Sequence, residues 1–294
     1  MIDQLTCLQV DYGIFQCWFF MLELNPYAGA LGVIVGGVDL CQPIDDVLFC
    51  ELNEALLEYE VLFFRDQPLS PENHANLASL FGAPQLHQAY PHIDGFPQLT
   101  ILENDEANPS KIEMWHTDMT FRRCPPLGAI LHGVVVPEKG GDTLFASMSA
   151  AFEGLSGTMQ SFLTGLTAIH DFSYGFKESL EEAGGRERLA QMVLDNPPVE
   201  HPVVRTHPLS GKKGLFVNSL FTVGIKHMKQ KESRMLLDFL FDHMATPETT
   251  CRFKWESNSV AFWDNRITQH KPVNDYWPQH RRMQRITIDG DEPV

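Results

Sequence analysis

Apolar residues in the first third of the chain follow the spacing of helices and of a buried strand. Across residues 44–59 they keep the 3.6-residue period of an amphipathic helix, at Val47, Leu48, Leu52, Leu56 and Leu57. The uninterrupted apolar run Val61–Phe64 follows and predicts a buried strand. Ser70 and Pro71 then supply a cap residue and a proline at the first helical position, so a second helix is predicted from there to Phe81.

Further apolar runs predict strands along the rest of the chain, at residues 127–136, 143–146, 203–205, 215–217, 260–263 and 281–288. The runs at 203–205 and 215–217 form a predicted hairpin, and helical spacing returns near residues 179–194 and 235–243. We therefore predict a mainly β fold with flanking helices, built on a double-stranded β-helix, or jelly roll. A single domain is predicted over residues 25–294, because all-β chains of this size often form one domain.

Composition limits the partners and the compartment. The net charge of −16 disfavours nucleic acid and anionic membrane surfaces as partners, so an anionic substrate would have to be captured by local arginines. We also predict a homo-oligomer, either a dimer or a tetramer. Six cysteines without C-x-x-C spacing, and no basic start of a signal peptide, predict reduced thiols in the cytoplasm. Residues 1–24 are predicted to be an N-terminal extension that can be disordered, since its apolar part is too short to span a membrane.

The chain contains a pair of metal-binding residue types at a spacing of two, His116 and Asp118. If this segment is a strand, both side chains point to the same face and can bind one ion. A third ligand must come from elsewhere, and His270 is the candidate. Two histidines and one carboxylate on one side of an ion are typical of non-haem Fe(II), and they leave positions open for substrate and oxygen.

Further motifs stand in a fixed order around this pair. They are VLFFRDQ at 61–67, LHQAYPH at 86–92, WHTDMTF at 115–121, GGDTLF at 140–145, HPVVRTHPLSGKKGLFVN at 201–218 and WDNRITQH at 263–270. With these motifs the chain resembles, from about residue 25 to 293, the taurine dioxygenase family of Fe(II)- and 2-oxoglutarate-dependent oxygenases. The resemblance covers most of the chain and implies Fe(II), 2-oxoglutarate as co-substrate and O2.

The resemblance also implies a role for individual residues. His116, Asp118 and His270 fall at the iron ligands, and Thr143 and Arg281 fall where the family binds the distal carboxylate of 2-oxoglutarate. The positions that surround a sulfonate substrate are His87, Tyr90, Phe176, Phe221 and Arg285. The presence of the Asp118 carboxylate favours hydroxylation over halogen transfer, because related halogenases lack this ligand.

Binding of 2-oxoglutarate favours an arginine near the metal site for a reason that does not depend on the resemblance. A distal carboxylate is bound best by the planar two-pronged guanidinium, and a threonine hydroxyl can add a hydrogen bond. Arg281, Met283 and Arg285 alternate along a predicted strand and therefore share one face, whereas Arg282 points the other way. If that face is the interior, one guanidinium can hold the co-substrate and the other the substrate.

The resemblance implies hydroxylation of a small anion, with taurine or another alkylsulfonate as the first expectation and with sulfite, succinate and CO2 as products. Gly175 and Ile112 depart from the family, which has a serine and an asparagine where the taurine amine is bound. Alkyl sulfate esters and aryloxyalkanoates are therefore the alternatives. Two other classes stay open, a metal-dependent hydrolase that uses the same three ligands and a non-catalytic ligand-binding jelly roll.

Overall fold

The computed structural model describes residues 22–86, 90–110 and 112–294. In these ranges the strands are β1 (Glu23–Pro26), β2 (Val33–Gly36), β3 (Val61–Phe64), β4 (Pro84–Gln85), β5 (His92–Ile93), β6 (Phe96–Asn104), β7 (Gly128–Val135), β8 (Thr143–Ser147), β9 (Thr167–His170), β10 (Val199–Pro202), β11 (Val204–Thr206), β12 (Lys213–Leu215), β13 (Thr222–Ile225), β14 (Thr250–Phe253), β15 (Val260–Asp264), β16 (Thr268–Pro272) and β17 (Arg281–Ile288). The helices are α1 (Asp46–Tyr59), α2 (Pro71–Phe81), α3 (Met148–Glu153), α4 (Gly157–Leu163), α5 (Phe172–Gly175), α6 (Lys177–Glu181), α7 (Gly185–Asp195) and α8 (Gln230–Met244). None of the helices within these ranges is both long and apolar enough to cross a membrane.

Two sheets form the centre of the molecule. The larger has the order β1-β2-β3-β15-β7-β17-β6-β5, with β4 also paired to β17, and the smaller has the order β14-β8-β16. Phe63 of the larger sheet stacks on Phe253 of the smaller one with ring centroids 4.0 Å apart, and Phe145 meets Phe63 edge to face. All three side chains are buried, so the apolar core between the sheets is closed. The fold is the predicted jelly roll, mainly β with helices outside it.

Helices α1 and α2 cover the outer face of the larger sheet. Leu52 and Leu56 of α1 and Phe81 of α2 are buried in one core with Phe262 of β15, and the rings of Phe81 and Phe262 lie 4.6 Å apart. The bounds predicted for α2 are confirmed, because the Ser70 side chain accepts a hydrogen bond from the backbone of Asn73. The predicted start of α1 was two residues early, since the Asp45 side chain caps the helix.

One other local prediction is corrected, and one condition used in the sequence analysis is not met. The predicted helix at 179–194 is two helices, α6 and α7, because the chain turns between them and Gly184 has a φ of 73° in the left-handed region. The segment that contains His116 and Asp118 is not a strand but makes one isolated antiparallel bridge, between His116 and His270. The hairpin predicted around residue 210 is confirmed as β11 and β12.

The C-terminal end of α1 carries a buried carboxyl group, Glu60, whose side chain is 2% exposed. The Ser149 hydroxyl donates a hydrogen bond to it, and Lys212 Nζ lies 3.8 Å from Oε1. Burial outweighs these stabilising contacts and raises the pKa of Glu60 from 4.5 to about 7. The folded protein therefore binds this proton more tightly than the unfolded chain does.

We expect Glu60→Gln to remove a pH-dependent loss of stability. Because the folded pKa is the higher one, Glu60 favours folding below pH 4.5, and this contribution is lost as the pH rises to about 7. The free energy of unfolding of the variant should exceed that of the parent by on the order of 3 kcal/mol at pH 8, and the gap should close towards pH 4.5. Urea unfolding at several pH values measures this difference in free energy of unfolding. Glu58→Gln, at an exposed position on α1, is the matched control. A difference that does not change with pH would contradict the raised pKa of Glu60.

Candidate active site

Three buried side chains that can bind a metal converge between the two sheets. The backbones of His116 and His270 exchange hydrogen bonds of 3.0 and 2.8 Å, which sets the two imidazole rings 4.2 Å apart between centroids. Asp118 follows two residues after His116, and its Oδ1 lies 3.9 Å from His116 Nε2. One ligand atom of each residue lies within 4.8 Å of those of the other two. The three residues that the sequence suggests as metal ligands therefore lie together.

The turn between β15 and β16 fixes the position of Asp118. Asn265 Oδ1 accepts a hydrogen bond of 2.8 Å from the backbone N–H of Asp118. Its Nδ2 donates to the carbonyls of Asp118 and Pro126, each at 3.1 Å. Thr117 points the other way and donates to the Thr268 carbonyl at 2.9 Å. The side chains of His116 and Asp118 therefore point to the same side of the chain although this segment is not a strand. Asn265, for which the sequence suggested no role, holds Asp118 in this position.

Both imidazoles are arranged as neutral ligands. The Nδ1 of His116 lies 2.9 Å from the Met114 carbonyl, which can only accept, so Nδ1 carries the proton and Nε2 keeps its lone pair for a metal. Burial lowers the pKa of His116, and burial together with neighbouring His116 lowers the pKa of His270 to about 3. Two neutral nitrogens and one carboxylate oxygen on one side of the site form a donor set that fits Fe(II).

A second part of the site contains Arg281, the first residue of β17. Its side chain is 7% exposed, and its guanidinium carbon lies 5.8 Å from the centre of the Tyr276 ring. Within the described ranges it forms no ion pair, and its Nε has no hydrogen-bond partner. Burial lowers the pKa of Arg281, yet an arginine stays protonated in a protein. A buried guanidinium that forms no ion pair within the described part of the chain fits a site for a carboxylate.

Thr143 follows a glycine that packs against the Arg281 side chain. It begins β8, is 4% exposed, and accepts a hydrogen bond of 2.9 Å from the indole Nε1 of Trp255. Gly141, two residues earlier, packs so closely that a Cβ there would lie 3.3 Å from Arg281 Cδ. The start of β8 therefore lies near the aliphatic part of the Arg281 side chain.

Arg285 connects the strand to the metal ligands. Its Nη1 donates to Asp118 Oδ1 at 3.3 Å, and its side chain is buried. Arg281, Met283 and Arg285 are all buried, whereas Arg282 is partly exposed, with its Nη1 3.9 Å from a Glu103 carboxylate oxygen. The predicted alternation along β17 is confirmed, and an anion that Arg285 binds would lie beside the metal site.

The predicted substrate pocket is described in part. His87 lies outside the described residues, and Tyr90 is half-buried at their border. Phe176 and Phe221 belong to an aromatic cluster with Phe121 and Phe172, which also includes Met119, the residue after Asp118. The cluster therefore begins next to a metal ligand.

The two departures from the family have structural consequences. A Cβ at position 175 would lie 2.4 Å from two carbons of the Phe221 ring, so a side chain there would displace the ring. Ile112 is half-buried, and its carbonyl accepts a hydrogen bond of 2.9 Å from Asn274 Nδ2. At neither position does the chain carry the polar side chain that the resemblance implies for an amine-binding site.

Comparisons with known proteins agree with this site. A family model described as taurine catabolism dioxygenase TauD, TfdA family matches residues 23–287. An alkylsulfatase from Acinetobacter baylyi is 36% identical over 274 residues, which cover 92% of this chain and 86% of that protein. An alpha-ketoglutarate-dependent sulfate ester dioxygenase from Pseudomonas putida is 35% identical over 277 residues, which cover 93% of this chain and 91% of that protein. The crystal structure of a taurine dioxygenase from Burkholderia xenovorans has a TM-score of 0.81 at 35% identity and covers 93% of this chain and 91% of its own.

Proposed function

This chain belongs to the taurine catabolism dioxygenase TauD, TfdA family and is a 2-oxoglutarate-dependent non-haem iron dioxygenase, and from that premise we propose that it hydroxylates alkyl sulfate esters. Its cofactors are Fe(II), 2-oxoglutarate and O2. Two relatives that resemble it over most of their length are named for action on alkyl sulfates or sulfate esters. The proposal concerns the substrate, and the alternatives are alkylsulfonates such as taurine and aryloxyalkanoates.

One observation carries this choice of substrate. The Phe221 ring occupies the space where a side chain at position 175 would stand. Phe221 and Phe176 offer no oxygen or nitrogen atom that could accept a hydrogen bond from an ammonium. A site that leaves a polar substrate group unpaired discriminates against that substrate, whereas an apolar wall favours an alkyl chain. The contact between Gly175 and Phe221 therefore supports a substrate with an anionic head and an apolar tail.

The proposed reaction balances as follows. The ester R–CH2–O–SO3⁻ reacts with 2-oxoglutarate and O2 to give R–CH(OH)–O–SO3⁻, succinate and CO2. One oxygen atom enters the hydroxyl group and the other enters succinate. The hydroxylated ester then breaks its C–O bond to the sulfate group and yields the aldehyde R–CHO, inorganic sulfate and a proton. A sulfonate hydroxylated at the carbon that bears sulfur would release sulfite instead.

Each group of residues has a separate task in this reaction. His116, Asp118 and His270 would hold Fe(II), which supplies O2 activation coupled to decarboxylation of 2-oxoglutarate. Arg281 and Thr143 bind the distal carboxylate of the co-substrate and so orient its other end towards the metal ligands. Arg285, within 3.3 Å of Asp118, binds the sulfate group and keeps the adjacent C–H bond close to the reacting centre.

The test is a comparison of substrates at saturating 2-oxoglutarate. Hexyl sulfate, hexane-1-sulfonate, taurine and an aryloxyacetate are offered to iron-loaded protein, and succinate, sulfate and sulfite are measured together. We expect kcat/KM for hexyl sulfate to exceed that for taurine by at least about 10-fold, with one sulfate released per succinate. If taurine is the preferred substrate and sulfite is released, the substrate proposal is wrong. If sulfate is released without formation of succinate, the protein is a metal-dependent hydrolase.

We expect Arg285→Gln to lower kcat/KM for the sulfate ester about 10- to 100-fold, because a charge-assisted hydrogen bond to the anion is lost. Steady-state kinetics with hexyl sulfate measure the loss. Arg282→Gln is the matched control, since this neighbour lies on the opposite face of the same strand and should leave the kinetics unchanged. Equal kinetics in the two variants would remove Arg285 from the substrate site.

The oligomeric state and the compartment stay predictions. We infer a dimer or a tetramer of this chain in the cytoplasm, with no nucleic acid or membrane partner. The net charge of −16 supports the absence of a nucleic acid or membrane partner, because anionic polymers and surfaces would repel the protein. Light scattering coupled to size exclusion distinguishes a monomer from either oligomer.

A further inference from the structure

The direction of one hydrogen bond determines what the Thr143 hydroxyl can do. The indole N–H of Trp255 lies 2.9 Å from Thr143 Oγ1. An indole nitrogen can only donate, so the threonine oxygen must accept this bond. The proton of the hydroxyl then points elsewhere, and no acceptor for it occurs among residues 22–86, 90–110 and 112–294. A hydroxyl held in this way is a donor without an acceptor, which is what an anionic ligand requires.

We propose that Trp255 is a positioning residue that orients the Thr143 hydroxyl as a hydrogen-bond donor to the distal carboxylate of 2-oxoglutarate. This inference rests on the proposed function, which places that carboxylate between Thr143 and Arg281. Trp255 itself touches neither substrate nor metal ligand in the proposal. It acts through the proton of Thr143.

Packing holds the Trp255 ring in the position that this role requires. The side chain is 3% exposed and meets Phe253 edge to face, with ring centroids 5.0 Å apart. On its other side lies Gly133, where a Cβ would come within 3.3 Å of Trp255 Cε3. Gly133 pairs with Met283 of β17, two residues after Arg281. The ring is therefore held by residues of β14 and β7, and β7 pairs with β17, the strand that carries Arg281.

A hydroxyl whose proton is already directed at the ligand loses less rotational freedom on binding than a free rotor does. The acceptor bond from Trp255 also polarises the hydroxyl and strengthens the bond that it donates. Arginine and threonine would then act together, the first by charge and the second by direction. Trp255→Phe removes the N–H together with part of the indole ring system, and it keeps an aromatic ring in the core.

The experiment measures binding without turnover. N-oxalylglycine, which keeps the distal carboxylate, is titrated calorimetrically into Mn(II)-loaded protein, and pyruvate, which lacks that carboxylate, is the ligand control. We expect Trp255→Phe to raise the Kd for N-oxalylglycine about 2- to 10-fold, which corresponds to one neutral hydrogen bond, and to leave pyruvate binding unchanged. In a Thr143→Val background the same change should have no further effect. Exposed Trp277→Phe is the matched tryptophan control.

The outcomes separate this inference from the function on which it rests. If Thr143→Val leaves N-oxalylglycine binding unchanged, the proposed role of Thr143 fails. If Thr143→Val weakens binding but Trp255→Phe does not, only the role of Trp255 is overturned. Should Trp255→Phe unfold, 3-benzothienylalanine at position 255 keeps the shape of the indole without its N–H. Equal weakening of pyruvate binding would also overturn the inference, because it would indicate a general change in packing.

Discussion

His270→Ala is expected to lower kcat/KM by about 10³-fold or more. Loss of a residue that only hydrogen-bonds to a metal ligand already lowers metal affinity or activity about 10- to 100-fold, and loss of a ligand itself should have a larger effect. His270 is buried beside His116 and Asp118, and its removal leaves two ligands for the metal. Alanine also leaves a cavity that water can enter. Succinate formation at saturating Fe(II), together with the metal content of the purified variant, measures the effect.

The control for this variant is another histidine-to-alanine change far from the metal ligands. His280 is exposed, and its Nε2 lies 2.7 Å from a Glu103 carboxylate oxygen at the surface. His280→Ala should keep parental turnover and metal content. Normal turnover by His270→Ala would show that His270 is not a metal ligand, and the proposed iron site would then be wrong.

Arg281→Gln is expected to raise the KM for 2-oxoglutarate about 10²-fold and to change kcat much less. The reason is that a buried charge-assisted bond to the co-substrate is lost while the metal ligands stay in place. Oxygen consumption at varied 2-oxoglutarate measures the split between the two constants. Arg282→Gln, one residue along on the opposite face, is the control and should leave both constants unchanged.

A co-substrate without the distal carboxylate adds a second check on Arg281. Pyruvate cannot use the guanidinium, so parent and Arg281→Gln should use it equally poorly. A variant that is impaired equally with both 2-oxo acids would show that the change damages the site as a whole. In that case the assignment of Arg281 to the distal carboxylate would be withdrawn.

The parts of the fold that the sequence predicted are those that local rules determine. The bounds of α2 follow from Ser70 and Pro71, which act within one helical turn. The interior face of β17 follows from the two-residue period of a strand, which places Arg281 and Arg285 on one side. Patterns of this kind need no knowledge of what packs against them.

The parts that the sequence missed depend on residues distant along the chain. Asn265 holds Asp118 across 147 positions, and Trp255 reaches Thr143 across 112. No local period marks either residue. The sequence offered a strand as the condition under which His116 and Asp118 share a face, but one bridge and the Asn265 side chain take the place of a full ladder. For Asn265 the available signal was its place in the motif that ends at His270, whereas Trp255 had none.

We propose that this site couples decarboxylation of 2-oxoglutarate to hydroxylation of the substrate. The most direct test is a reaction under 18O2 with hexyl sulfate, followed by mass spectrometry of the succinate. We expect one 18O atom in each succinate, formation of succinate that depends on the sulfate ester, and no labelled succinate from the His270→Ala variant. Sulfate release without labelled succinate would contradict this proposal and would identify the three ligands as the site of a hydrolase.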